Sequence, residues 1–342
     1  MGRLSESEIG ERVERLRSLQ QPCQLCPRRC LVDRLAARGF CGQPLALQVA
    51  ATCAHGGEEP PLSGCAGAGT IFVAGCTMQC CFCQNYQISQ PERLETHWIV
   101  TPQQLAQRML ALQQAGCHNV EWVSPTQHLP SLVDALWLAR GQGLTLPLVY
   151  NCNGYQRPEL LRLLDGIVDV YLPDAKYASP DLARRLSATG DYVELNRRTL
   201  LEMQRQVGPL QLDGDGLAMR GLLVRHLVLP GELANTRAVL RWIAGALGVD
   251  TWVSVMAQYY PAHRARGGEP DRECGPGAHI GHGALDRRLT PREHDLALDA
   301  LELVGLENGW IQQRATGAAF CPDFRREDPF QQGGLHRPGL SR

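Results

Sequence analysis

The chain has 342 residues, 44% apolar and 20% charged, enough to bury a large core. Its 34 basic and 35 acidic residues leave a formal net charge of −1, which excludes the basic excess of a nucleic-acid-coating surface. No run of about 18 apolar residues occurs, which excludes a membrane-spanning helix.

The first segment, MGRLSESEIGERVERLRSLQ, alternates its charges and reads as a short amphipathic helix. It lacks the apolar stretch of a secretory signal, and its glutamates argue against a transit peptide, which points to the cytoplasm. Residues 1–68 form a cysteine-rich extension. Cys23, Cys26, Cys30 and Cys41 are spaced C-x2-C-x3-C-x10-C, and a chain this long needs no disulfide staples. Four such thiolates suit a structural zinc ion or a second iron–sulfur cluster, with Arg28 and Arg29 placed to offset their charge. HGGEEPP (55–61) then brings an imidazole and two carboxylates, Glu58 and Glu59, which suit orienting a basic substrate or simply a polar turn.

From 69 to 265 apolar β-rich runs alternate with amphipathic ones. Strands are predicted at 70–75, 119–124, 146–151, 166–172, 221–229 and 251–258. Helices are predicted at 101–116, 130–141, 158–164, 180–206 and 234–247. Thr101 caps the clearest helix, Pro102 starts it and Gly116 ends it. Strands alternating with helices imply a parallel sheet with right-handed crossovers. The fold class is α/β. Chemistry-bearing residues follow the C-terminal end of every strand, which favours a partial (β/α)6 barrel over an open sheet with one switch point. Residues 266–342 form a C-terminal extension: a glycine-rich loop, one helix near 291–304 and a tail read as disordered.

CTMQCCFC follows the first barrel strand. Cys76, Cys80 and Cys83 read C-x3-C-x2-C, and the adjacent Cys80 and Cys81 point different ways in most backbone conformations, so one of them is redundant. Three cysteines on one loop suit an iron–sulfur cube whose fourth iron stays open to a small ligand, whereas zinc prefers two distant knuckles. The scattered Cys53, Cys65, Cys117, Cys152, Cys274 and Cys321 read as small apolar residues. The basic residues are 33 arginines and one lysine, Lys176, which marks Lys176 for chemistry that arginine cannot do. His128 and His226 lie near strand ends, where a lone histidine is more often structural.

The stretch GTIFVAGCTMQCCFCQNYQIS, with Phe82 before the last cysteine, resembles the radical S-adenosylmethionine superfamily. With YLPDAKY and VRHLVLPG it is similar to the branch related to pyruvate formate-lyase activating enzymes, in a subgroup carrying CQLCPRRC…GFCG; the likeness spans roughly residues 20–265. The resemblance implies that Cys76, Cys80 and Cys83 hold a catalytic [4Fe–4S] cluster, that Cys81 is the non-ligand and that Phe82 sits near the adenine of S-adenosylmethionine. It assigns cofactor contacts to Asn153 in NCNG, Lys176 in PDAK and Arg225 on the fifth barrel strand. It also implies a reductant such as flavodoxin or ferredoxin, and hydrogen abstraction from a glycine of a partner enzyme. A small-molecule or peptide substrate is the competing expectation, and a non-catalytic iron–sulfur or zinc protein acting in redox relay or binding is the other. One element departs from the branch: WVSPTQHLP replaces its glycine-glycine-glutamate turn, leaving Ser124 and Thr126 as oxygen acceptors there.

Overall fold

A computed structural model of the chain describes residues 5–90, 95–266, 284–312, 322–326, 329–330 and 340–341. The helix α1 (Glu6–Ser18) opens on a reciprocal cap between Ser5 and Glu8 and buries Ile9, Val13 and Leu16. All six predicted barrel strands form: β2 (Ala68–Val73), β3 (Val120–Val123), β4 (Leu148–Cys152), β5 (Val170–Pro173), β7 (Ala218–Leu227) and β8 (Trp252–Met256). They lie side by side in chain order, each pair parallel, and the sheet does not close. Order without reversal is the winding of a barrel rather than of a doubly wound sheet. Every residue of β2 is buried, as expected of a strand covered on both faces.

Sequence pattern missed the strands at the edges. β1 (Val49–His55) belongs to the predicted extension yet pairs antiparallel with β2, and β9 (Gly309–Gln312) adds parallel to β8. Short α2 (Pro60–Ser63) follows β1 and puts fully buried Leu62 among Val149, Val170, Leu172 and Leu223. Asn119 holds the carbonyl of Leu62 at 2.8 Å. That plug presents the two preceding residues, Glu58 and Glu59, to the interior.

The crossover helices are α4 (Pro102–Gln114), α5 (Leu129–Gly141), α6 (Pro158–Leu161), α7 (Pro180–Ser187), α8 (Tyr192–Val207) and α9 (Leu233–Leu247). α4 has the expected Thr101 cap, closed by Gln104, and Gly116 takes φ 86° beyond its end. The predicted helix 180–206 is two helices. Ala188 turns left-handed at φ 52°, and the chain restarts at Tyr192. The predicted C-terminal helix is α10 (Pro291–Leu303).

Just ahead of the tail read as disordered, Phe324 is buried against Phe72; within that tail Phe330 packs on His55 with ring centroids 4.0 Å apart. A phenylalanine in a polar segment finds apolar surface to cover, which the segment's average composition conceals. Cys274 and Cys321 lie outside the described residues. No helix among the described residues is long and apolar enough to cross a membrane.

Candidate active site

The loop after β2 turns at Gly75 (φ 80°), where a Cβ would stand 2.8 Å from the Cys41 carbonyl, so only glycine lets the N-terminal loop approach this closely. Cys76 and Cys80 are buried, Cys83 is half-buried, and all three line one cavity at the C-terminal ends of the strands. Each sulfur has a polar neighbour. The Met78 amide and the Asn153 Nδ2 donate to Cys76 at 3.4 Å, and the Ser187 hydroxyl donates to Cys80 at 2.9 Å. The Cys83 thiol pairs with the Ser89 hydroxyl at 3.2 Å. Such donors stabilise thiolates that carry metal. Burial pushes the Cys83 thiol up to about 12, with Cys80 and Cys76 adding to the shift. Burial also raises Cys80, against the pull of the Lys176 ammonium. Metal ligation reverses such shifts because it binds the thiolate.

Cys81 is fully buried but turned elsewhere. Its amide donates to the Leu186 carbonyl at 2.9 Å, and it packs in a cluster with Tyr177 and Tyr259. Among the described residues no three His, Cys, Asp or Glu side chains are gathered as a single metal ion would need. A cube of four irons takes its cysteines at separate corners and needs no such gathering. The donors fit the three-cysteine cluster that the resemblance implies.

Two of the expected cofactor residues stand beside these cysteines. Asn153 reaches Cys76 and also donates to the Thr77 hydroxyl at 3.0 Å, while its own Oδ1 accepts the Tyr155 amide. Lys176 Nζ lies 2.5 Å from Asp174 Oδ2. Burial works to strip its proton, but Asp174 and Cys80 outweigh burial and hold it above the usual lysine range. The Tyr192 hydroxyl bonds the Asn153 carbonyl, the Asp174 carbonyl and the Lys176 amide, each at 3.0 Å. Asn196 Nδ2 donates to the Asp174 carbonyl at 2.8 Å and to that of Gly154 at 3.1 Å. At Gly154 (φ 72°) a Cβ would stand 2.2 Å from both Asn196 Nδ2 and the Asp174 carbonyl.

Ser187, Tyr192 and Asn196 escaped the sequence reading because 180–206 read as one helix. The small and glycine-containing run SATGD marked the break. That break aims Ser187 at Cys80 and Tyr192 at the two cofactor loops.

Arg225 lines the same cavity but is already engaged. Its Nε and Nη2 meet Glu59 as a fork at 2.7 and 2.5 Å, and Nη2 also contacts Glu58. Asn151 Nδ2 donates to Glu121 Oε1 at 2.6 Å. Burial first, then the Glu58 charge, drives the fully buried Glu121 carboxyl well above the usual carboxylate range. Register explains the grouping: Glu121 pairs with Val149 across β3–β4, and Arg225 with Ser254 across β7–β8, so both face the lumen.

The four N-terminal cysteines lie close enough to feel one another's charge, though not gathered as a single metal ion would need. Burial raises Cys26 to about 12, with Cys41, Cys30 and Cys23 contributing. Burial raises Cys41 too, opposed by Arg34. Buried Arg34 stands beside Cys41, Arg157 acts on Cys26, and the Arg28 amide donates to Cys26. The Arg28 side chain donates to the Thr77 carbonyl at 3.0 Å and lies 3.7 Å from the centre of the Phe40 ring, and Arg29 is exposed. Arg34 gives hydrogen bonds of 2.5 Å to the Gln127 and Pro44 carbonyls.

Three other candidates leave the site. Thr126 is buried and donates to Gln156 at 2.9 Å, whereas Ser124 lines the cavity at φ 54°. His128 is buried beside Gln43, and His226 bridges the Ala175 carbonyl and the Thr236 hydroxyl at 2.7 and 3.0 Å. Phe82 lines the cavity, with its ring 5.9 Å from that of Tyr259.

The sequence profile of the Radical SAM superfamily matches residues 70–206. A protein of Methanocaldococcus jannaschii, described as uncharacterised, is 31% identical over 304 residues, 86% of this chain and 79% of the relative. A second from that organism is 25% identical over 166 residues, 44% of this chain and 48% of its own. Among solved structures, methylornithine synthase (PylB) aligns over 91% of this chain and 75% of its own, with a TM-score of 0.43 and 15% identity. Native anSMEcpe with bound AdoMet aligns over 67% and 57%, with a TM-score of 0.43 and 12% identity.

Proposed function

This chain belongs to the radical SAM superfamily, and from that premise we propose an S-adenosylmethionine-dependent enzyme that begins its reaction by abstracting a hydrogen atom from a substrate. When bound, a [4Fe–4S] cluster supplies one electron to the sulfonium of S-adenosylmethionine, which splits to methionine and a 5′-deoxyadenosyl radical. The carrying observation is that Cys76, Cys80 and Cys83 face one cavity with polar donors on their sulfurs while Cys81 turns into the core.

Cys76, Cys80 and Cys83 would hold the cluster, leaving one coordination position that the cofactor would take. Asn153 orients the Cys76 side of the site. Lys176 offers a fixed positive charge to the cofactor carboxylate, and Asp174 an acceptor to its amino group. Arg225 is committed to Glu59 and Glu58, so its role is to hold those carboxylates in the lumen. The electron comes from a low-potential protein such as flavodoxin or ferredoxin. The glycine of a partner enzyme, which the branch resemblance implies, competes as hydrogen donor with a small molecule or peptide; the lumen carboxylates favour the latter.

Cys23, Cys26, Cys30 and Cys41 form a second, four-thiolate centre, iron–sulfur in preference to zinc. Supporting this are their mutual electrostatic reach without the gathering a single zinc ion would need, Arg34 beside Cys41, and the close approach of the Cys41 carbonyl to Gly75. Counting metal separates the options: about eight irons per chain for two clusters, about four plus one zinc for the alternative.

Anaerobic reconstitution with iron, sulfide, a reductant and S-adenosylmethionine tests the reaction. The expected product is 5′-deoxyadenosine, lost in Cys80→Ala and retained in Cys81→Ala. A chain with a spectroscopically confirmed cluster and no product would sink the enzyme reading.

A further inference from the structure

The lumen end of the cavity holds more negative charge than its own cation answers. Arg225 is shared. Its Nε and Nη2 form the fork with Glu59, and Nη2 also touches Glu58, so one guanidinium faces two carboxylates. Burial disfavours the Glu59 anion, but Arg225 overrides burial and holds its carboxyl below the usual range; Glu59 thus uses the arginine's charge. Glu58 is the surplus anion. Among the described residues His55 Nε2 also faces Glu58, at 3.9 Å from its Oε1, beyond hydrogen-bond reach and charged only when protonated, with its ring against Phe330. Both Glu58 and Glu59 are at least nine-tenths buried. A buried anion without a full partner is costly, so the surplus marks a missing counter-charge.

A third carboxyl points to the same conclusion independently. Glu121 is fully buried, and the charges of Glu58, Arg225 and Glu59 act on it. Its Oε1 accepts from Asn151, but its Oε2 has no hydrogen-bond partner. Buried polar atoms are normally paired, and an unpaired one beside a cavity marks a place where a ligand donor fits. Asn151, Ser254, Glu58 and Glu59 all line that cavity, which continues to Cys76, Cys80 and Cys83. An anionic ligand is disfavoured because Nε and Nη2 of Arg225 are taken and two carboxylates flank them.

We infer that the lumen end of the cavity receives a cationic nitrogen of the substrate, a primary ammonium or guanidinium group, seated against Glu58 and Glu121. The inference rests on the reading that the adjoining cysteines mark the reaction centre, and it deepens that reading by naming the substrate's charge. Glu58 supplies the anion. A cation seated beside Glu121 offsets the burial and the Glu58 charge that keep its carboxyl protonated, so that its Oε2 gives up the proton and accepts from the ligand N–H; Arg225 and Ser254 keep Glu59 out of the competition.

Isothermal titration of the cluster-loaded chain with n-butylammonium and methylguanidinium, with butyrate as anionic control, tests this directly. The expected result is binding of at least one cation and none of butyrate, with Glu58→Gln and Glu121→Gln each weakening the cation about tenfold or more. Full iron content and a cooperative thermal transition establish that each variant is folded, and should one of them fail, the other and the unsubstituted chain still decide. Butyrate binding more tightly than both cations, no binding of either cation, or cation affinity unchanged in the folded variants would each overturn the inference. Release of 5′-deoxyadenosine on the same sample is scored separately. Its absence counts against the reaction, while absent cation binding with normal release counts against the lumen site alone.

Discussion

The chain carries two cysteine groups that differ in what faces them. Cys76, Cys80 and Cys83 are three, they line a cavity, and a serine, an asparagine and a lysine surround their sulfurs. Cys23, Cys26, Cys30 and Cys41 are four, they feel one another's charge near Arg34, and none of them lines that cavity. Three ligands with a cavity leave a coordination position for chemistry, whereas four without one close the shell. The two groups touch, since the Cys41 carbonyl rests against Gly75, the residue before Cys76. The N-terminal group is thus part of the wall that shapes the catalytic loop.

The sharpest way to break this comparison is to remove one cysteine from each group. Cys80→Ala should lower S-adenosylmethionine cleavage at least about 10³-fold, equivalent to about 4 kcal/mol, with a smaller loss of stability. Cys41→Ala should do the reverse, costing more than about 4 kcal/mol in denaturant unfolding, as loss of a structural centre does. Equal effects of the two changes on both readouts would erase the distinction.

A smaller effect comes from pH. Burial keeps His226, which holds the Ala175 carbonyl beside Lys176, neutral down to about pH 4. The unfolded chain binds that proton near the ordinary histidine value, about 6.5, so it binds more protons than the native state between these limits. Stability is therefore complete above about pH 6.5 and falls as pH drops towards 4, by up to about 3 kcal/mol from this residue. Unfolding measured across pH 7 to 4.5 should show a shallower slope in His226→Gln than in the unsubstituted chain.

Gly154→Ala should cost about 2 kcal/mol or more, because the Cβ meets Asn196 and the Asp174 carbonyl at a positive φ. It should also weaken S-adenosylmethionine binding by displacing Asn153, without lowering iron in the N-terminal group. The smallest effect belongs to Ser187→Ala. Removing the hydroxyl from Cys80 should slow cleavage about tenfold while changing unfolding by about 1 kcal/mol, which separates tuning of the sulfur from support of the fold.

The strands and the cysteine spacing were legible in the sequence because both are local patterns. An apolar run of six residues declares β2, and C-x3-C-x2-C declares its loop. Asn153 and Lys176 were singled out by the resemblance, and Lys176 also as the one lysine; the structure places both beside the three cysteines, after strand ends. What stayed hidden depends on distant pairing. Glu58 and Glu59 read equally as substrate-orienting carboxylates or as a polar turn, because nothing local says that Leu62 will plug the lumen and carry them inside. The ion pairs of Arg225 with Glu59 and Glu58 were not legible, because those partners lie 166 and 167 residues away. Arg34, not its neighbours in CPRRC, stands beside Cys41, since only the folded loop decides which arginine is buried.

The central claim is that the three-cysteine group leaves one iron open to S-adenosylmethionine. Electron paramagnetic resonance of the reduced, cluster-loaded chain before and after adding the cofactor tests it most directly. The account predicts that one cluster's signal shifts on addition while that of the four-cysteine group stays fixed. A spectrum unchanged by saturating S-adenosylmethionine would contradict it.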